Sequence, residues 1–154
     1  MLRFVSALLF IITLNITTLT ATSADGAGTS SNPWDKAPDY LVEPIKLIDD
    51  EKYNKAIEQL TVLMETRSND ADVQNLLGFS HRKLEDFEQA VLFYNTALSI
   101  DPSHKGALEY LGELYVETNQ LELANAQLEK LNKLCTFCKE RRNLKKAIRN
   151  HKSS

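Results

Sequence analysis

From residue 37 onward the apolar residues recur at intervals of three and four, in blocks broken by short polar stretches. Val73, Leu76, Leu77 and Leu84, with Ser80 in register, form one stripe; Phe87, Ala90, Val91, Tyr94, Ala97 and Leu98 form the next. That spacing matches the turn of an α-helix and predicts amphipathic helices throughout, with no alternation of strand and helix. The acidic break Leu84-Glu85-Asp86 predicts a tight turn and suits the positive N-terminus of the helix after it. Pro102 ends that helix, because proline lacks an N–H and disfavours a helical predecessor.

The stripes themselves repeat. Ala56, Ala90 and Ala124 lie 34 apart, as do Tyr53, Phe87 and Leu121, then Leu60, Tyr94 and Leu128, then Leu63, Ala97 and Leu131. Leu77-Gly78 recurs as Leu111-Gly112. Glycine inside a helix costs about 1 kcal/mol relative to alanine, so its placement in two equivalent apolar runs calls for a reason. A close crossing of two antiparallel helices supplies one, with the recurrent alanine as the small residue on the facing helix. Gly106, by contrast, is expected in a connector.

Leu-Gly at the seventh and eighth positions of a 34-residue unit, alanine at the twentieth, an aromatic at the twenty-fourth, alanine at the twenty-seventh and proline at the thirty-second resemble the tetratricopeptide repeat. Residues 71–104 match it best. Residues 105–138 keep Leu111, Gly112, Tyr115 and Ala124 but lose the proline; residues 37–70 keep Tyr53, Ala56 and Leu60 but carry Pro44 at the glycine position. The first helix of that unit is therefore expected to be kinked, shortened or started at Pro44. The resemblance implies an all-α fold, a right-handed α-solenoid of about three helix-turn-helix units. The segment 139–154, with Leu144, Ala147 and Ile148 on one side, is expected to be a basic capping helix and tail. The layout also looks like that of small exported bacterial tetratricopeptide proteins ending in a cysteine pair and a charged helix.

The N-terminus has Arg3, an apolar run from Phe4 to Leu14, and small residues ending at Ala24. This is the layout of a signal peptide, expected at residues 1–24 and cleaved after Ala24, with a retained anchor as the alternative. The apolar run is well short of the roughly 20 residues a spanning helix needs. Residues 25–36, which include Trp34, read as a flexible linker. The expected location is outside the cytoplasm, in the periplasm if the host has a Gram-negative envelope. Charge is divided: the chain's net formal charge is −3, yet seven basic residues from Lys139 onward face Glu140 alone. Such a dipole steers partners without specifying them.

Cys135 and Cys138 are the only two cysteines and invite a chemical reading. Haem attachment requires His at 139, where Lys139 stands, and a zinc site lacks two further ligands. In an oxidising compartment the pair is expected to be a disulfide fixing the turn before the last helix. The alternative is a reactive dithiol, with Cys138 activated by the helix dipole and by Lys139, Arg141 and Arg142. No phosphate-cradling loop, nucleophile elbow or paired-histidine motif is present, so a non-enzyme without cofactor or metal is expected.

Resemblance to the repeat family implies a concave groove lined by the first helix of each unit, with contacts at set positions. In residues 71–104 the expected exposed contacts are Asn75, Phe79, Arg82 and Lys83, next to Asp72. In residues 105–138 they are Glu109, Glu113, Val116 and Glu117, next to Gly106. Arg82 and Lys83 have a second reading, as partners of Glu113 and Glu117 across the unit boundary. The version of the fold that clamps terminal carboxylates needs Lys and Asn where Leu41 and Ile45 stand, and is not carried over. The expected occupant is a protein or peptide, with no nucleic acid, and the chain a monomer or weak oligomer. Thiol exchange, and docking of the basic helix on an anionic envelope surface, are the alternatives.

Overall fold

Polar side chains set where three of the helices begin. In a computed structural model that describes residues 37–152, Asp70 accepts hydrogen bonds from the N–H groups of Asp72 and Val73 at 3.0 and 3.2 Å and so caps a helix at Ala71–Lys83. Asp86 accepts from the N–H of Gln89 and caps the helix Phe87–Ile100; His104 Nδ1 accepts from the N–H of Ala107 at 3.0 Å and caps Lys105–Glu117. Each side chain satisfies a donor that a helix start leaves without a partner. The described residues form seven helices and no strand: α1 (Asp39–Asp49), α2 (Tyr53–Thr66), α3 (Ala71–Lys83), α4 (Phe87–Ile100), α5 (Lys105–Glu117), α6 (Leu121–Leu134) and α7 (Lys139–His151). The expected leader, the linker and Trp34 lie outside the described residues.

Helices pair as α1–α2, α3–α4 and α5–α6, and each hairpin turns at one residue with left-handed backbone: Glu51 (φ 57°), Glu85 (φ 62°) and Asn119 (φ 59°). These three positions share the 34-residue interval. The backbone change ends the first helix and sends the chain back in three residues, a conformation that glycine adopts without steric cost.

Two local expectations need correction. Gly106 lies in the first turn of α5, not in a connector, because the His104 cap starts that helix at Lys105. And α1 does not start at Pro44: it begins at Asp39, with Pro44 buried inside it. It is short, 11 residues against 13 in α3 and α5. Pro44 forfeits one N–H donor there, and the burial of Leu41, Ile45, Leu47 and Ile48 around it offsets that loss.

The core lies in the seams between hairpins. Leu41, Ile45 and Ile48 of α1, Ala56 and Leu60 of α2, and Val73, Leu76 and Leu77 of α3 form one cluster. Ala90, Tyr94 and Ala97 of α4 pack with Ala107, Tyr110, Leu111 and Leu114 of α5 in a second. Leu108 and Val116 of α5, Ala124 and Leu131 of α6, and Leu144 and Ile148 of α7 form the third. The recurrent alanines Ala56, Ala90 and Ala124 are all fully buried, as small residues at close crossings must be.

The glycines serve close approach, though against different neighbours. A Cβ at Gly78 would stand 2.7 Å from Cδ1 of Tyr94, across the α3–α4 hairpin. At Gly112 it would stand 2.5 Å from a Leu144 methyl, on α7 and not on the paired helix. The residue 34 after Tyr94 is Leu128, which is smaller and only partly buried, and α7 closes over the space beside Gly112. Both glycines therefore admit a large side chain that a methyl would displace.

Gly78→Ala should lower unfolding free energy by about 1–3 kcal/mol in urea titration, although alanine favours helix, because the Tyr94 ring must move. Glu85→Gly should raise it by about 1 kcal/mol, by relieving left-handed backbone. Equal effects of the two would contradict this packing of Tyr94 on Gly78.

Candidate groove and capped end

Phe79 projects from α3 toward α5 and meets the ring of Tyr110 edge-on, with centroids 5.0 Å apart. The Arg82 guanidinium lies 5.6 Å from both ring centres, and Lys83 Nζ lies 6.0 Å above Phe79. Arg82 donates from Nη2 to Glu113 at 3.0 Å and from Nη1 to Glu117 at 3.2 Å, so one turn of α3 is bound to two turns of α5. Burial works against the Arg82 charge, but the anionic groups around it, Glu113 and Glu117 among them, raise its pKa overall.

The eight expected contact residues divide. Phe79 and Glu113 are partly exposed, and Lys83 and Glu117 are exposed. Asn75, Arg82, Glu109 and Val116 are buried, the most exposed of them at 8%, which corrects the expectation that they line an open groove. Neighbouring helices cover them. The α3–α5 contact encloses Arg82, so the second reading of that residue, an ion pair across the unit boundary, is what the structure shows. Asn75 sits beside Gly106 at the start of α5, and neither of its amide atoms has a hydrogen-bond partner among the described residues. Lys83 makes no ion pair with either glutamate among the described residues; its charge rests above the Phe79 ring instead.

Glu109 and Val116 lie under α7. Asn143 donates from Nδ2 to Glu109 Oε1 at 2.8 Å, Leu144 packs over Gly112, and Ile148 joins Val116 in the core. Farther along α7, His151 bonds to Asn119 at 3.0 Å. Helix α7 thus stands against α5 as the first helix of a further unit would. A polar contact of similar reach joins earlier units, His104 to Asp72 at 2.9 Å and Tyr40 to Asp70 at 2.6 Å. His81, half-buried, stacks on Phe93 and bonds Asp86, so it is a packing residue. Among the described residues no group of three or more His, Cys, Asp or Glu side chains is placed to hold a metal ion.

Cys135 and Cys138 are joined as a disulfide that closes a loop over Thr136 and Phe137 between α6 and α7. Sequence reasoning overlooked Phe137, which is 87% exposed, and the role of α7 in covering α5. An apolar residue between two cysteines was the available signal for the first.

Burial pushes the Glu109 carboxyl up from 4.5 to about 7, with Glu113 and Glu140 adding to the rise; the Asn143 bond and Lys139 oppose it. A folded-state pKa above the unfolded one means stability that is complete below the unfolded value and declines as pH rises through the folded one. Stability should therefore fall by about 3 kcal/mol between pH 4.5 and about pH 7 through this group. Glu109→Gln, which can still accept from Asn143, should flatten that part of the pH–stability curve measured by thermal melts. An unchanged slope would mean that Glu109 is not charged against a burial penalty.

Residues 71–104 match the family model of the tetratricopeptide repeat. No curated protein matches the chain. Among solved structures, the first tetratricopeptide domain of Spaghetti (RPAP3), bound to the HSP90 peptide SRMEEVD, superposes with a TM-score of 0.66 at 21% identity, over 75% of this chain and 91% of that one. A mutant of MamA superposes with a TM-score of 0.57 at 23% identity, over 66% of this chain and 77% of that one. At such identities the likeness is one of fold. Residues 71–104 are therefore a tetratricopeptide repeat, carried in a chain whose described part folds as a helical solenoid of that kind.

Proposed function

We propose that this chain is an exported, non-enzymatic interaction scaffold that holds an extended peptide or a helix of a partner protein along the first helices of its hairpins. The observation that carries the reading is the accessible part of Phe79, anchored on Tyr110 and flanked by Lys83, Glu113 and Glu117. A rigid aromatic held by its neighbours, with charge of both signs at its rim, is the usual make-up of a peptide-binding patch. Asn75, Arg82, Glu109 and Val116 act behind it by holding α3, α5 and α7 in place. The occupant has an apolar side chain for the Phe79 edge and a cation for Glu117, whose side chain is 48% exposed despite its bond to Arg82.

The solved neighbour with a bound peptide supports the general mode. Its peptide is not transferred, because Leu41 and Ile45 are apolar and buried here. Export rests on the residue pattern of 1–24, and the periplasm is the destination if the host is Gram-negative.

Peptide display on the full chain should enrich sequences that pair an apolar residue with Lys or Arg. Phe79→Ala and Glu113→Lys should each lower affinity for the enriched peptides about tenfold or more, with thermal melts confirming that the variants fold. Retention of all peptides by both would remove the groove from the proposal. Separately, mass spectrometry of chain recovered from outside the host cytoplasm should show a first residue at Asp25; chain retained inside with residues 1–24 attached would count against export.

A further inference from the structure

The end of the stack opposite α1 combines two features that the groove reading does not use. Phe137 stands almost fully exposed at the crest of the disulfide-closed loop, with Leu134 beside it at 43%. The loop is braced from behind: Arg141 Nη1 donates to the carbonyl of Thr136 at 2.8 Å, and its Nε bonds to Asn132 of α6. An aromatic this exposed on a covalently closed, braced loop is presented outward and is not a stray core residue.

The solvent face of α7 carries the second feature. Leu144 and Ile148 turn inward, while Arg142, Lys145 and Lys146 are exposed on the other side, at the three- and four-residue spacings that align them. Cations in the first turn are opposed by the helix dipole, so Lys139 and Arg142 at the start of α7 do not serve helix stability. The rest of the molecule has the opposite sign: the whole chain is net negative despite this cationic end.

We propose that this end of the molecule docks on an anionic phospholipid surface, with Phe137 entering the headgroup boundary and Arg142, Lys145 and Lys146 over the lipid phosphates. Charge complementarity favours a bilayer over a protein partner. The aromatic crest protrudes, so it suits a fluid surface that closes around it, whereas a protein would need a matching pocket. The acidic body is repelled by the same surface, which turns the basic end toward it. No helix among the described residues is long and apolar enough to cross a membrane, so the contact is peripheral. The proposal is independent of the groove, which it leaves facing a partner.

Tryptophan fluorescence tests it locally. The chain has one tryptophan, Trp34, so the full chain carrying Trp34→Phe and Phe137→Trp reports from the loop alone. Vesicles with about one third phosphatidylglycerol should shift its emission to the blue. Pure phosphatidylcholine vesicles should not, and salt should reverse the shift. Adding Lys145→Gln and Lys146→Gln should weaken apparent vesicle affinity by roughly 25-fold, about fivefold per charge. Circular dichroism should be unchanged, since both side chains face solvent. Emission that stays that of an exposed indole with anionic vesicles, or shifts equally with neutral ones, or survives removal of both charges, would overturn the proposal.

Discussion

The rest of the structure depends on the seam where the second helix of one hairpin meets the first helix of the next. No hairpin here buries all of its apolar surface within itself. The α3 helix contributes Val73, Leu76 and Leu77 to the cluster behind it, while α4 sends Ala90, Tyr94 and Ala97 forward to α5. Stability in such a chain is a sum of neighbour terms, and any unit without a neighbour exposes a core face. The glycines and alanines at the 34-residue interval set how near the helices come: Gly78 admits Tyr94 within the α3–α4 hairpin, and Gly112 admits Leu144 of α7. An open stack must also be closed, and α7 does this with Leu144 and Ile148 while turning its charges outward.

Superposed on the apolar seams is a ladder of polar contacts between residues about one unit apart. Tyr40 to Asp70, Asp72 to His104, Arg82 to Glu113 and Glu117, Glu109 to Asn143, and Asn119 to His151 each tie one hairpin to its successor in the stack. Such bonds add modest net stability, but their directionality fixes the register of one helix on the next in a way that apolar contact does not. Beside these contacts Phe79 and Glu113 stay partly exposed, and Lys83 and Glu117 stay exposed. The carboxyl of Glu109, held near neutrality under α7, ties closure of the stack to pH at one point.

The two ends of the molecule differ in kind. Toward α1 the core takes in Leu41, Ile45 and Ile48, and the helix runs unbroken through the buried Pro44. At the far end lie a closed loop with an outward phenylalanine and a cationic helix face. A body of one charge carrying an end of the other has a built-in orientation in any external field.

Much of this was legible along the chain. The interval of 34, the alanine columns, the Leu-Gly pairs and the break at Pro102 are local features, and each acts through the helix that contains it. They were enough for the helix-turn-helix order and for a closing helix built on Leu144 and Ile148. They did not reveal that Asn75, Arg82, Glu109 and Val116 are covered, that α5 starts early enough to include Gly106, or that Gly112 faces α7. Positions in a repeat specify direction from a helix axis, whereas burial depends on how far away the next helix stands. That distance is set by all the side chains meeting in a seam, such as the smaller Leu128 where Tyr94 would otherwise recur, and only the assembled stack decides it.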